Sequence, residues 1–124
     1  MHRDSSLSGA DAEQLARDYL QQQGLKFVAK NFRTQRGEID LIMRDNAHLV
    51  FVEVRFRQSI VFGSAEESIT QQKCRRLTAA ALAYMQSQKL TNKLSARFDA
   101  VAISPPPVKS ATGFSINWIK NILQ

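Results

Sequence analysis

Apolar side chains recur at Ala12, Leu15, Ala16, Tyr19 and Leu20, the spacing of one buried helix face. Ser8 followed by Asp11 resembles a capping box and Gly24 is a good stop, so a first helix is predicted over 9–23. The next run, LKFVAKNFR, reads as a strand with Asn31 and Arg33 at its polar end. Two further apolar runs, 37–44 and 48–57, flank a short polar turn and predict a hairpin. A longer helix is predicted over 67–88, and ARFDAVAIS as a fourth strand. The three prolines at 105–107 require an extended loop, since proline has no amide to give to a ladder. FSINWIKNIL, the last apolar run, predicts a final strand running into a helical turn. The order α-β-β-β-α-β, with a weaker β at the end, specifies an α/β domain with a mixed sheet and helices packed on it. Residues 1–124 are expected to form one domain, with 1–8 a flexible N-terminus.

Composition narrows the class. A chain of 124 residues, 44% hydrophobic and 23% charged, is long enough for one core and short of two. Seventeen Lys and Arg against eleven Asp and Glu leave a net charge of +6, which favours a polyanionic partner, most often nucleic acid. The single Cys74 excludes an intramolecular disulfide and a thiolate metal cluster, as expected for a reducing cytoplasm. The N-terminus has no apolar signal region and no stretch approaches a membrane span, so neither secretion nor membrane insertion is expected.

The chemistry concentrates in the hairpin. Glu38, Asp40 and Glu53 stand inside apolar runs, with Arg55 two places beyond the last acid. A buried carboxylate is costly unless something pairs with it. Strand alternation puts Glu38 and Asp40 on one face, and Glu53 and Arg55 on one face. A connection formed by residues 45–48 sets Asp40 directly opposite Glu53, their Cα atoms roughly 4.5–5.5 Å apart. A loop at positions 45 and 46 shifts the partner by two and keeps both acids on one face; only a one-residue slip separates them. Converging carboxylates repel each other unless a cation lies between them. Oxygen ligands of this kind suit Mg²⁺ or Mn²⁺, and that arrangement supports phosphodiester hydrolysis. The structural alternative is a buried ion-pair network of these acids with Arg55, Arg57 or Arg97.

Two helical residues add to the pattern. Glu13 lies at the border of the first helix's apolar stripe, where it either is solvated or reaches over the sheet edge. Lys73 falls within the stripe that Ile69, Leu77, Ala80 and Tyr84 define on the second helix. A lysine there either extends outward along the apolar surface or serves the carboxylates.

Taken together, GADAEQLARDYL, NFR at 31–33, GEIDLI at 37–42, VFVEVRFR at 50–57, Lys73 and RFDAVAI at 97–103 resemble the YraN family (UPF0102) of small bacterial proteins. That family is similar to archaeal Holliday-junction resolvases and to nucleases with the PD-(D/E)xK motif. The resemblance implies a restriction-endonuclease-like fold, a central mixed β-sheet flanked by helices. It implies metal ligation by Asp40 and Glu53 with the Val54 carbonyl as third ligand, assistance from Glu13, and a motif position without a defined role for Glu38. Arg55 stands where the usual pattern has lysine. Arginine stays protonated and offers fixed donors and charge, so it can hold a phosphate or stabilise a transition state but is a poor base. Three outcomes follow: the cation activates water without a lysine, Lys73 supplies the ammonium from the helix, or the chain cuts nothing.

The reading is therefore a Mg²⁺- or Mn²⁺-dependent endonuclease acting on DNA, with branched or irregular DNA implied by the resemblance. Glu13, Asp40, Glu53, Arg55 and Lys73 form its catalytic set; Arg33, Arg36 and Arg57 are candidates for backbone phosphates. Resolvase-like nucleases often work as dimers. The alternatives are a non-catalytic nucleic-acid-binding module on the same scaffold and a protein-interaction domain whose acids are structural. Neither His2 nor His48 is given a role.

Overall fold

A computed structural model describes residues 8–57, 63–105 and 113–123. Ser8 accepts the Asp11 N–H at 3.0 Å and opens helix α1 (Gly9–Gln22). Gly24 follows the helix with φ +100°, a left-handed conformation that costs a Cβ-free residue little. Strand β1 (Lys26–Arg33) then pairs antiparallel with β2 (Glu38–Asp45), and β2 pairs antiparallel with β3 (His48–Phe56). Asn46, at φ 55°, makes the turn between β2 and β3, and the ladder closes with Asp45 opposite His48. The turn is thus two residues, Asn46 and Ala47, and its register is the one that sets position 40 opposite position 53.

The second helix begins later than expected. Glu66–Ser68 forms one 3-10 turn, Ile69 is extended, and helix α2 runs Gln71–Ser87. Thr70 sets the start because its hydroxyl accepts the Lys73 N–H at 3.2 Å. From α2 the chain enters β4 (Ser95–Ser104), parallel to β3, and then β5 (Ser115–Ile119), antiparallel to β4. The sheet order is β1-β2-β3-β4-β5. Residues 120–123 form no helical turn; the Ile122 N–H is instead taken by the Phe98 carbonyl at 2.8 Å. Pro105 ends the described part of β4's exit, while Pro106, Pro107 and residues 1–7 lie outside the described residues.

Each helix covers one sheet face. Ala12, Ala16 and Leu20 of α1 pack on Leu41, Met43, Val50 and Val52. Leu77, Ala80, Ala81 and Tyr84 of α2 pack on Ile39, Ile42, Leu49 and Phe51. Small alanines let both helices approach the sheet closely. No helix among the described residues is long and apolar enough to cross a membrane.

One polar group lies wholly inside this packing. Asp99, in the centre of β4, is fully buried. It accepts from Arg97 Nε at 3.1 and 3.2 Å, from Trp118 Nε1 at 2.9 Å and from the Asn121 N–H at 3.0 Å. Arg97 also reaches Asp45 at 3.2 Å. The network ties β4 to β5, to the segment after β5 and to the end of β2, so Arg97 is spent here and pairs with neither Asp40 nor Glu53 among the described residues. Removing one member of such a set strands the others without partners in a dry interior. Asp99→Ala is expected to cost about 3–5 kcal/mol, the range for breaking a buried charge pair. Urea denaturation followed by Trp118 fluorescence should show the lower midpoint with an unchanged m value.

Candidate metal and nucleic-acid site

The site begins where the β2–β3 ladder stops. Pairing runs from Asp45 opposite His48 to Leu41 opposite Val52. Continued pairing would join Val54 to Ile39 through both backbone groups. Instead the Val54 N–H donates to Asp40 Oδ2 at 2.8 Å. A side-chain oxygen has taken a main-chain partner's place, and the two strands fork.

Both strands on the β1 side change faces at this level. Leu41 and Met43 belong to the α1 core, yet Ile39 belongs to the α2 core. Strict alternation would keep all three together. On β1 the step opposite Asp40 is Asn31, which has φ 53° and lies between the pairs Lys30–Leu41 and Phe32–Ile39. Asp40 therefore sits at a changeover, and its carboxylate reaches across the fork towards β3 instead of joining either core.

The fork brings Asp40 and Glu53 together, close enough to share a hydrogen bond. Burial raises the Asp40 carboxyl above the ordinary aspartate value, against the Val54 N–H, which favours the charged form. Glu53 is pushed up to about 7, first by burial and then by the Asp40 charge, with Arg55 opposing. The Val54 amide bond favours the Asp40 anion, so Glu53 is the acid of the pair that takes up a proton more readily.

Two cations flank Glu53 on the α2 side. Arg55 Nη1 lies 3.7 Å from Glu53 Oε1, while its Nε donates to Ser68 Oγ at 2.9 Å. The buried Ser68 hydroxyl gives its own proton to the Ala65 carbonyl at 2.5 Å, so it must be the acceptor from Arg55. The guanidinium is thereby fixed in direction. Lys73 lines the same cleft; burial first, and then the Arg55 charge, lowers its pKa. The cleft holds about 100 Å³ and is lined by Glu38, Glu53, Arg55, Lys73 and Arg76.

The sequence-derived set does not converge completely. Glu13 lies on the α1 side, in a separate hollow of about 40 Å³ with Arg17, Lys30, Asn31 and Leu41. With its amide nitrogen turned to Glu13, Asn31 donates to both carboxylate oxygens at 3.0 and 3.2 Å. Burial and then the Asp40 charge raise Glu13, so it feels the fork without joining the cleft. Glu38 stands at the exposed rim of the cleft, where it pairs with Arg33 at 3.4 Å and not with the fork. Arg36 is exposed on the β1–β2 turn, and Arg57 is half-buried at the end of β3, where its charge also lowers Lys73.

Three residues outside the expected set shape the cleft: Ser68, Arg76 and Gly37. Thr34 closes the β1–β2 turn, its hydroxyl meeting the Arg36 and Gly37 amides and the Gly37 carbonyl at 3.1 Å each. A Cβ on Gly37 would lie 2.0 Å from the Arg76 carbonyl oxygen. The turn thus rests on the backbone of α2, one helical turn beyond Lys73. A glycine immediately before an apolar strand was the available signal for this contact; nothing in sequence spacing marks Ser68.

Does the fork suit a divalent cation? Asp40 and Glu53 supply two carboxylates. The Val54 carbonyl turns the same way as the Val54 N–H, into the fork, because both groups of a strand residue face one neighbour. No group of three His, Cys, Asp or Glu side chains gathers among the described residues, so the third oxygen has to come from the main chain. Three oxygens fit an ion that retains several waters, and the raised pKa of Glu53 is the strain that such an ion relieves.

The family model described as Uncharacterised protein family UPF0102 matches residues 12–103, which include the fork, the cleft and all of β4 but its last residue. The chain belongs to the UPF0102 family. A UPF0102 protein of Coxiella burnetii (strain RSA 331 / Henzerling II) is 46% identical over 116 residues, covering 94% of this chain and 91% of that protein. One from Aliivibrio fischeri (strain MJ11) is 47% identical over 112 residues, with 90% and 86% covered. A third, from Methylococcus capsulatus, is 42% identical over 118 residues, with 95% and 91% covered. This UPF0102 chain and those relatives are thus alike over nearly their full lengths.

The electrostatics have a consequence for stability. The folded pKa of Glu53, about 7, lies above its ordinary value of 4.5. The folded state therefore keeps a proton that the unfolded chain loses, and this stabilisation is complete below the ordinary pKa and lost as pH rises through the folded one. In EDTA, urea midpoints should fall between roughly pH 5 and 8. Glu53→Gln should flatten that decline; an equally steep decline in the variant would remove Glu53 as its source.

Proposed function

We propose that this UPF0102 chain is a Mg²⁺- or Mn²⁺-dependent endonuclease that hydrolyses DNA phosphodiester bonds. The observation that carries this reading is the Asp40–Glu53 pair at the β2–β3 fork, beside the Val54 carbonyl and with Arg55 and Lys73 in the cleft next to Glu53. Asp40, Glu53 and the Val54 carbonyl would hold the ion. When bound there, the ion would polarise the scissile phosphate and lower the pKa of water. Arg55, fixed by Ser68, offers its remaining N–H groups to a phosphate oxygen. Lys73, with its lowered pKa and its position across the cleft, is the better candidate to orient or deprotonate the attacking water. Glu13, held by Asn31, acts on the site through the charge it adds beside Asp40. Arg33, Arg36 and Arg57 would take flanking phosphates and add affinity without reading sequence.

Branched or irregular DNA as substrate rests on the likeness to Holliday-junction resolvases, a fold-level analogy. Cutting both strands of such a substrate takes two sites, so a homodimer belongs to the reading. So does a reducing cytoplasm, which suits the free Cys74.

A second reading is supported by Arg55 itself. Its Nε is committed to Ser68 and it cannot act as a base, which suits a nucleic-acid-binding module that no longer cuts. The double variant Asp40→Asn/Glu53→Gln, which still leaves the Val54 N–H an acceptor, separates the two. An endonuclease should lose Mn²⁺-dependent cleavage of a labelled branched substrate by more than about a hundredfold, since the ion contributes several kcal/mol. The variant should keep its circular dichroism and its DNA affinity in EDTA. Undiminished cleavage by the variant would sink the metal-site reading. A wild-type chain that binds DNA but never cuts it, at any Mn²⁺ or Mg²⁺ concentration, would favour the binding module.

A further inference from the structure

A second basic feature lies at the opposite end of the β1–β2 pair. Cross-strand register sets Lys26 directly opposite Arg44. Like charges so placed destabilise a sheet. Neither takes part in an ion pair among the described residues, and the nearest acid along β2, Asp45, is engaged by Arg97. Lysine on an edge strand commonly blunts that edge against aggregation. That explains Lys26 alone; it does not explain a second cation on the interior strand facing it.

Arg44 is also pre-organised. Its Nε donates to the Asn46 carbonyl at 2.9 Å, a carbonyl placed by the left-handed turn residue. Among the described residues the two terminal nitrogens of the guanidinium meet no acceptor. Lys26, Arg44, Asn46 and Gly24 line a hollow of about 380 Å³, several times the volume of the catalytic cleft, with no carboxylate among its lining residues.

We propose that this hollow is a second, non-catalytic anion site that holds one backbone phosphate of the nucleic acid. The inference rests on the nucleic-acid reading given above and extends it. Arg44 lies four residues along β2 from Asp40, about 13 Å at the rise of a strand. The rise along a duplex axis is about 3.4 Å per nucleotide, but phosphates also wind around that axis and stand further apart, so the held phosphate lies fewer than four nucleotides from the one at the fork. A phosphate clamped at that spacing fixes the duplex arm beside the cut and favours substrates whose flanking arm is double-stranded. The site therefore sets position along DNA, while the fork carries the chemistry.

The test uses the full chain, a fluorescent duplex-armed DNA and EDTA buffer, with anisotropy read across 50 to 200 mM salt, roughly the range over which phosphate contacts are resolved. Lys26→Ala/Arg44→Ala should weaken binding severalfold and reduce the slope of log affinity against log salt by about one, the share of one phosphate contact. Lys26→Glu supplies the control for folding. It replaces the cross-strand clash with an opposite pair, so the Tm should hold or rise while DNA affinity drops. An unchanged slope and affinity in the double variant, beside normal wild-type binding, would overturn the inference and leave the nuclease reading intact. A Tm that falls in step with affinity would assign the pair to folding and overturn it too. Tight binding of inorganic phosphate, lost in the double variant while duplex binding is not, would give the hollow to a free phosphate instead. Failure of the wild-type chain to bind any DNA would overturn both readings together.

Discussion

One hydrogen bond organises this molecule: the Val54 amide gives its proton to the Asp40 carboxylate and not to a strand. A sheet normally satisfies its own amides, and an amide left bare in the interior is costly. By accepting that proton, Asp40 lets β2 and β3 part without leaving the Val54 N–H bare. The parting then turns the Val54 carbonyl and the Glu53 carboxylate towards the same small space. The acid therefore has two duties, closing the sheet's accounts and charging the fork. Substituting it by a neutral residue of similar shape would keep the first more nearly than the second.

The cations around the fork divide by geometry. Arg55 is held by Ser68 and Glu53 and can only donate; Lys73 is held through its backbone by the helix cap, and its partly desolvated ammonium has no ion-pair partner among the described residues. An arginine in the motif position is thus compatible with a lysine supplied from a different element. Position in space, not position in the motif, decides which group is available for proton transfer.

Much of this was legible in the sequence because short-range chemistry decides it. The hairpin register follows from two residues of turn, so the approach of Asp40 to Glu53 could be foreseen from spacing. Lys73 stood out because a charge in an apolar stripe is a local anomaly. What could not be read depends on contacts between distant segments. Strict alternation predicts nothing of the face change at Asp40, which needs the left-handed Asn31 on the neighbouring strand. Helical periodicity overran the start of α2, since Ile69 fits the stripe but Thr70 captures the Lys73 amide. Glu13 fits the stripe border equally well whichever hollow it enters. Asp99 carries a sequence signal too, since a lone acid in the run FDAVAI with an arginine two places earlier is a mark of a buried pair.

The contact between Gly37 and the Arg76 carbonyl has an implication for how such a cleft can vary. Most helix–sheet distances are adjustable, since exchanging valine for alanine or leucine moves a helix by fractions of an ångström. Here two main chains touch with no side chain between them, so the spacing has no smaller setting and the first larger one collides. The separation between the acid-bearing strand and the lysine-bearing helix is in effect a mechanical stop. Diversity in what the cleft accepts must then arise from its walls, at Glu38, Arg76 and the residues around them, and not from its width.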